Sequence, residues 1–195
     1  MHKQGSEGWF LDRMGKATGS KAAAIMGTAA ARERYLCDLA AEIATGQIHT
    51  VDAPALAHGR QYEPRAREQY VFQTGEIVEE VGFVDHPTVD RVGCSPDGLI
   101  QGNGIIEIKC PKVISKHIAT LLNGMNEKEH KPQVQWNIWT TESAWCDFCS
   151  FCPDMPPQSQ LFIQRIERDD EYIEKLAVAA VAFIADLDLL MEKIL

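Results

Sequence analysis

The 195-residue sequence lacks any run of about 18 apolar residues, the length that a transmembrane helix needs. Its first ten residues, MHKQGSEGWF, lack the apolar stretch of a secretory signal. We therefore expect an intracellular protein whose six cysteines are reduced thiols. A glycine-rich loop that would bind ATP phosphates or a dinucleotide is also missing, so ATP hydrolysis would have to come from another chain.

Positive charge is scarce as well. The sequence has 19 Lys and Arg against 28 Asp and Glu, which gives a formal net charge of −9 at pH 7. Proteins that coat nucleic acid non-specifically rely on an overall excess of positive charge, so this class is excluded. A nucleic-acid partner would have to meet a local basic patch or a bound cation.

The remaining composition, with 45% hydrophobic and 24% charged residues, is typical of a globular protein, and we expect one domain over residues 1–195. Residues 1–75 are predicted to be mainly helical. TGSKAAAIMG predicts a short helix with Thr18 or Ser20 as its N-cap and Gly27 at its end. AARERYLCDLAAEIATG predicts a longer helix that Gly46 ends, and a third helix is predicted over about residues 59–73.

The pattern changes after residue 75. In residues 76–168, EIVEEVGFVDHP, RVGCSPDGLI and GIIEIKC predict strands, HKPQVQWNIWTTES predicts a helix, and AWCDFCSFC and QLFIQRIER predict two further strands. Residues 169–195 predict an amphipathic helix with acids in its first turn. The predicted fold is α+β (α/β), with a mixed central sheet flanked by helices.

The segment GCSPDGLIQGNGIIEIKCP places two acids and a lysine around a glycine turn. Residues two apart in a strand share a face, so Glu107 and Lys109 point away from Ile106 and Ile108. A hairpin closed at QGNG can bring the Asp97 carboxylate beside that of Glu107. Adjacent carboxylates repel unless a hard divalent cation such as Mg²⁺ or Mn²⁺ compensates them, and a nearby lysine can orient a water.

These are the groups needed to hydrolyse a phosphodiester. The alternative is a surface salt bridge between Lys109 and Glu107, with Asp97 shaping the turn beside Pro96 and Gly98. The spacing of the acids and the lysine alone does not decide between the two interpretations.

Several separated motifs nevertheless occur in one order: GWFLDRMGKATGS, ALAHGRQYEPRAR, CSPDGL, GIIEIKCP, and PQVQWNIWTT followed by AWCDFCSF. In these motifs the chain resembles the lambda-type exonucleases, or YqaJ-like viral recombinase family, of the PD-(D/E)XK nuclease superfamily. The resemblance extends from Trp9 to about Glu171. It implies a restriction-endonuclease-like core around the predicted sheet.

The resemblance also implies an activity. Members of the family degrade double-stranded DNA from the 5′ end with Mg²⁺, for which Mn²⁺ is a possible substitute. The expected products are 5′-mononucleotides and 3′ single-stranded overhangs for recombination with a single-strand annealing protein. Well-known members are toroidal homotrimers, and we expect a phage or prophage protein in the cytoplasm of a bacterial host.

Carried over residue by residue, the resemblance makes Asp97, Glu107 and the backbone carbonyl of Ile108 metal ligands. Lys109 would act on the attacking water. Glu63, in GRQYEP, would complete the acidic cluster.

The resemblance places Gln133 near the metal and the nucleophile; without it, Gln133 would be a polar residue on an exposed helix face. The family often has a tyrosine three residues before this glutamine, where this chain has His130.

DNA contacts follow in the same way. Arg13 and Ser20 match the pocket for the 5′-phosphate, and a serine at a helix N-terminus beside an arginine suits a phosphate. Ser95 would add a contact near the metal. Trp9 matches an aromatic residue at the DNA entrance, although a lone tryptophan commonly packs in a core. Leu56 lies where the family places an apolar wedge between the strands.

The region between Ser20 and Leu56 is shorter than in the best-known member. An additional phosphate-binding arginine is therefore not placed by the motifs, and Arg32 and Arg34 are only candidates for it.

CDFCSFC spaces Cys146, Cys149 and Cys152 as an iron–sulfur or zinc site would. Strand alternation instead puts Cys149 on the face opposite the other two, which favours buried thiols.

Two functional alternatives remain open. One is a nuclease with the same core that acts as an endonuclease or on single strands. The other is a non-catalytic scaffold that binds DNA ends.

Overall fold

The computed structural model describes residues 2–48 and 54–195, with side chains for 2–48 and 57–195. The elements of these residues are α1 (Glu7–Arg13), β1 (Ala17–Thr18), α2 (Ala22–Ile25), α3 (Ala29–Thr45), α4 (Pro54–Thr74), β2 (Val78–Glu79), β3 (Val84–Asp85), β4 (Val92–Cys94), β5 (Gly98–Ile100), β6 (Gly104–Lys109), α5 (Ile114–Asn123), α6 (Glu127–Thr140), β7 (Trp145–Phe151), β8 (Leu161–Glu167) and α7 (Asp170–Ile194). Short 3₁₀ turns cover Gly19–Lys21 and Pro157–Ser159.

The strands form two sheets. The larger has the order β2-β5-β6-β7-β8, in which β6 and β7 are parallel and the other neighbours antiparallel. The smaller has the order β1-β4-β3, with β1 parallel and β3 antiparallel to β4. The predicted α+β class with a mixed sheet flanked by helices is confirmed.

Helices cover both faces of β6 because its alternating side chains enter two different hydrophobic clusters. Ile105 joins a cluster that contains Phe148 of β7 and buried residues of α2, α3, α6 and α7. Ile106 and Ile108 join a second cluster with Tyr70 of α4. A strand that is buried on both faces is usually apolar throughout, so the charged residues at the C-terminal end of β6 are an exception that calls for an explanation.

The helix boundaries differ from the prediction in several places. Residues 18–27 form a 3₁₀ turn and the four-residue helix α2 rather than one helix. Helix α4 begins at Pro54 rather than near residue 59, because proline is well tolerated in the first turn of a helix. Helix α5 was not predicted; no side-chain cap marks its start, and its buried His117 bonds to Ser150 Oγ at 2.8 Å.

The longer helices follow their sequence signals. Gly46 ends α3 in the left-handed conformation with φ 64°, and Asp169 caps α7 by accepting the N–H of Tyr172. Within the described part of the chain, no helix combines the length and apolar character needed to cross a membrane.

Candidate active site

The β5–β6 hairpin brings Asp97 beside Glu107. Gly98 pairs with Ile106, and Gly102 and Asn103 close the turn with φ of 89° and 74°. One residue before the strand, Asp97 N donates to Ile106 O at 3.1 Å. In the other direction, Ile108 N donates to Asp97 Oδ2 at 2.6 Å. The Asp97 carboxylate is thus held against the strand that carries Glu107.

Glu107 is 3% exposed and accepts hydrogen bonds from three side chains. Lys109 Nζ and Gln133 Nε2 each lie 2.7 Å from Oε1, and Asn137 Nδ2 lies 2.9 Å from Oε2. Lys109 Nζ also donates to Gln133 Oε1 at 3.0 Å. The predicted Gln133 therefore contacts both Glu107 and Lys109. Asn137 was missed, although it follows Gln133 by four residues and so lies on the same face of α6.

Glu63 reaches this centre from α4 with a partner that the sequence analysis also missed. Arg67 is 9% exposed and donates from Nη2 to Glu63 Oε1 at 2.6 Å. Its Nη1 lies 3.0 Å from Glu80 Oε1, and its Nε donates to the backbone oxygen of Asp97 at 3.1 Å. Arg67 thus fixes the helix glutamate relative to the hairpin.

The electrostatics are those of crowded carboxylates. Burial, together with the charges of Glu107 and Glu63, raises the pKa of Asp97 well above its usual value. Burial also raises the pKa of Glu63, against the opposing effect of Arg67. For Lys109, burial acts to lower the pKa, but the Glu107 carboxylate outweighs it and the pKa is raised.

These residues fit a hard divalent cation. Asp97 and Glu107 offer carboxylate oxygens, which is the donor chemistry that Mg²⁺ prefers, and their mutual repulsion is what a cation relieves. Ile108, whose N–H binds Asp97, lines the same cavity. Across residues 2–48 and 57–195, no cluster of three or more His, Cys, Asp or Glu side chains is arranged to hold a metal ion. The hairpin thus brings two carboxylates together, those of Asp97 and Glu107.

The centre lies in a cavity of about 1260 Å³ whose wall also includes the predicted DNA contacts Trp9, Arg13, Ser20 and Ser95. Trp9 is 7% exposed and its Nε1 donates to Ser95 Oγ at 2.9 Å, while the Arg13 guanidinium stacks 4.2 Å from the centre of its indole. Trp9 therefore packs in the core and shapes the cavity wall at once. Ser20 is exposed on the same cavity, with its Oγ 3.3 Å from Thr18 Oγ1. The predicted contact of Leu56 lies outside the described side chains.

Basic residues collect around this cavity despite the negative net charge. Its wall includes Arg13, Lys16, Lys21, Arg60, Lys109, Lys112 and Lys116. Among the described residues, the acids on the wall are the predicted Glu63, Asp97 and Glu107, together with Glu42, Glu127 and Glu129. Among these residues and outside the acidic centre, basic side chains thus outnumber acidic ones, which is the local patch that a DNA backbone requires.

The two arginines considered for a further phosphate contact lie elsewhere. Arg32 Nη2 pairs with Asp186 Oδ2 at 2.6 Å, which joins α3 to α7, and Arg34 is exposed away from the cavity. Arg60, three residues before Glu63 on α4, lines the cavity instead. Its position in the same motif as Glu63 was the signal that could have identified it.

The three clustered cysteines are buried on β7 and its C-terminal extension. Cys146 packs in the cluster of Phe148, whereas Cys149 packs in that of Phe151. Burial raises the pKa of both thiols well above the usual value. Cys146 and Cys149 thus lie on opposite faces of the sheet, as strand alternation predicted, and this argues against a shared metal.

Comparison with known proteins adds a family and a fold. The model of the YqaJ-like viral recombinase domain matches residues 8–144. An alkaline exonuclease from Laribacter hongkongensis, whose structure is also known in complex with dAMP, is 41% identical, with a TM-score of 0.92 over 97% of this chain and 96% of that one. A phage-related exonuclease from Haemophilus somnus shares the fold at 15% identity, with a TM-score of 0.79 over 92% and 96% of the two chains. Among curated protein sequences, none matches significantly.

Proposed function

The chain belongs to the YqaJ-like viral recombinase family, and from this membership we propose that it is a Mg²⁺-dependent exonuclease that degrades double-stranded DNA from its 5′ ends. The observation that carries the proposal is the centre formed by Asp97, Glu107 and Lys109. It lies in a basic cavity, in a chain 41% identical over nearly its whole length to an alkaline exonuclease.

The proposed ligands of the cation are Asp97, Glu107 and the carbonyl oxygen of Ile108. When bound there, Mg²⁺ supplies Lewis-acid stabilisation of the negative charge on the phosphate oxygens and on the leaving 3′-oxygen. Glu63, held by Arg67, adds negative charge to the same site and so strengthens its attraction for a cation.

Lys109 and Gln133 act on the nucleophile. Both side chains project into the cavity, and their mutual hydrogen bond fixes the Lys109 ammonium group. Lys109 orients the attacking water and stabilises the charge that develops on the phosphate, and Gln133 holds both Lys109 and Glu107 in place. Burial of Glu107 excludes bulk water, which makes these interactions stronger than they would be in solution.

The 5′ polarity is proposed from the polar side chains on the cavity wall outside the acidic centre. Arg13 and Ser20 offer a guanidinium and a hydroxyl to a terminal phosphate, and Ser95 lines the same cavity. Cleavage of the first phosphodiester then releases a 5′-mononucleotide and lengthens a 3′ overhang. The complex of the Laribacter exonuclease with dAMP, a nucleotide of this class, supports the proposal.

In recombination, the 3′ overhang would be the substrate of a single-strand annealing protein, and we propose such a protein as the partner. We also propose a homotrimeric ring, in line with the toroidal assembly expected for the family. Sedimentation or light scattering of the purified protein measures this directly: a mass near three times 21.7 kDa is expected, and a monomer at all concentrations contradicts it.

Digestion of a linear duplex labelled on its 5′ or its 3′ end tests the activity. The expected result is early release of 5′ label as mononucleotide with Mg²⁺, none with EDTA, and no attack on a closed circular duplex. Cutting of the circle would favour an endonuclease. Binding of both DNAs with no cleavage of either would contradict the catalytic role of the acids and support a DNA-end-binding scaffold.

A further inference from the structure

Asn137 binds the carboxylate oxygen of Glu107 that Lys109 and Gln133 do not contact. Lys109 and Gln133 both contact Oε1, whereas Asn137 Nδ2 donates to Oε2 at 2.9 Å. Asn137 is 1% exposed, so water does not compete for this bond. Groups that orient a metal-binding side chain in this way commonly set its affinity for the metal.

The oxygen of the Asn137 amide is buried against the segment that carries Ser20. Its Oδ1 has no hydrogen-bond partner among the described residues and lies against Gly19, where an added Cβ would overlap it. A buried polar atom without a partner costs stability, so its retention calls for an explanation. Gly19 is the residue between Thr18 and Ser20 in the 3₁₀ turn, next to the hydroxyl predicted to hold the 5′-phosphate.

Helix α6 contacts the same segment through a second residue. Trp136 Nε1 donates to the backbone oxygen of Gly93 at 2.9 Å, and Gly93 is the register partner of Thr18 in the β1–β4 pair. Thr18 N in turn donates to the Tyr35 hydroxyl at 3.2 Å. The turn that carries Ser20 is therefore fixed relative to α6, and through Asn137 relative to Glu107.

We propose that Asn137 is a positioning residue that fixes the separation between the Ser20 turn and the Glu107 carboxylate, and that this separation sets the length of the released product. The inference rests on the proposed exonuclease function. An enzyme that holds a terminal phosphate at one point and cuts at another removes as many nucleotides as fit between the two points. A fixed distance of one nucleotide yields mononucleotides, and a looser one also yields longer products.

Three variants and one control test this contact. Asn137→Ala removes the bond to Glu107. Gly19→Ala leaves the backbone unstrained, because Gly19 is outside the left-handed region, but its Cβ displaces the Asn137 amide. The double variant combines them. Thr140→Val is the matched control, because Thr140 is equally buried on α6 and its hydroxyl makes no hydrogen bond to any described residue.

Two quantities are measured: the affinity for Mg²⁺ by calorimetry without DNA, and the length of the products released from a 5′-phosphorylated linear duplex. Asn137→Ala should weaken Mg²⁺ binding by about 10- to 100-fold and release dinucleotides beside mononucleotides. Gly19→Ala should show the same two changes, and Thr140→Val neither. In the double variant the effects should not add, because the displaced amide is already gone.

Wild-type Mg²⁺ affinity and purely mononucleotide products from Asn137→Ala would overturn the proposal. Additive effects in the double variant would overturn the link to the Ser20 turn. If Asn137→Ala does not fold, Gly19→Ala alone decides, since normal metal binding and normal products from it contradict the contact. If the wild-type protein cuts no DNA, the proposed function fails, while the Mg²⁺ titration still tests the hold of Asn137 on Glu107.

Discussion

The substitution Asp97→Asn should stabilise the protein without metal and destabilise it, relative to wild type, with metal. Asparagine keeps the acceptor for the 2.6 Å bond from Ile108 N, so the hairpin loses no hydrogen bond. It removes a negative charge that burial disfavours and that Glu107 and Glu63 repel, and these are the causes that raise the pKa of Asp97. The same change removes a proposed metal ligand.

The dependence on pH follows from this raised pKa. Folded wild-type protein holds the Asp97 proton more tightly than the unfolded chain, so its free energy of unfolding falls as pH rises from about 3.8 through the folded-state pKa. Asparagine does not titrate. The variant should therefore be no more stable than wild type below about pH 3.8. Its extra free energy of unfolding should grow between pH 3.8 and the folded-state pKa of Asp97 and stay constant above that pKa.

In EDTA at pH 8, the expected gain in the free energy of unfolding is about 0.5–2 kcal/mol, the usual range for one stabilising substitution. In a chain of this size it corresponds to a rise in Tm of about 1–8 °C. Mg²⁺ at 100 times its Kd stabilises the wild type by about 2.7 kcal/mol. Because the variant lacks a metal ligand, Mg²⁺ should stabilise it less. With saturating Mg²⁺ the wild type should therefore be the more stable of the two proteins.

Thermal unfolding followed between pH 4 and 8, with EDTA or with saturating Mg²⁺, measures both effects. Asp154→Asn, at an exposed position in the β7–β8 connection, is the control and should change neither curve. A variant that is less stable than wild type in EDTA at pH 8 would refute the argument that burial and repulsion together disfavour the charged Asp97 carboxylate. An equal gain from Mg²⁺ in both proteins would refute the assignment of Asp97 as a ligand.

Three further predictions concern the neighbouring side chains. Lys109→Met should bind a duplex normally in a gel-shift assay but cut it about 10²- to 10⁴-fold more slowly, and normal cleavage would exclude Lys109 from the chemistry. Arg13→Ala should reduce the preference for 5′-phosphorylated over 5′-hydroxyl ends by about tenfold, since a charged hydrogen bond is lost, and an unchanged ratio of rates would place the phosphate elsewhere. Arg67→Met should lower the free energy of unfolding by about 1.5–3 kcal/mol in urea, because the partly exposed Glu63 loses a charged hydrogen bond; a loss below about 1 kcal/mol would contradict that pairing.

The sequence predicts best what depends on neighbouring residues. Residues two apart and a glycine turn predict the β5–β6 hairpin, and the structure places Asp97 and Glu107 together in it. Gly46 and the acids near residue 170 mark the ends of α3 and α7 for the same reason. The resemblance extends the prediction to residues far apart in sequence, such as Glu63 and Gln133, because the family motifs identify residues that come together only in the shared fold.

Other contacts are not predictable from local patterns. Arg67 is one arginine among several on α4, and only the folded hairpin shows that it bonds to both Glu63 and Asp97. Asn137 Oδ1 lies without a hydrogen-bond partner among the described residues against Gly19, and only the folded structure brings these two residues together. Helix α5 lacks a cap at Val113, so no local signal marks its start.

The β5–β6 hairpin has a consequence for the order in which the molecule folds. Asp97 and Ile108 are 11 residues apart in sequence, and a loop of about ten residues closes in roughly 10–100 ns. The donors to Glu107 on α6 are 26 and 30 residues away and depend on docking of a whole helix. Contacts between residues close in sequence form first. Asp97 and Glu107 therefore come together before the neutral side chains of α6 bind Glu107. We therefore expect the early hairpin to form more readily at acid pH, where its carboxylates carry protons.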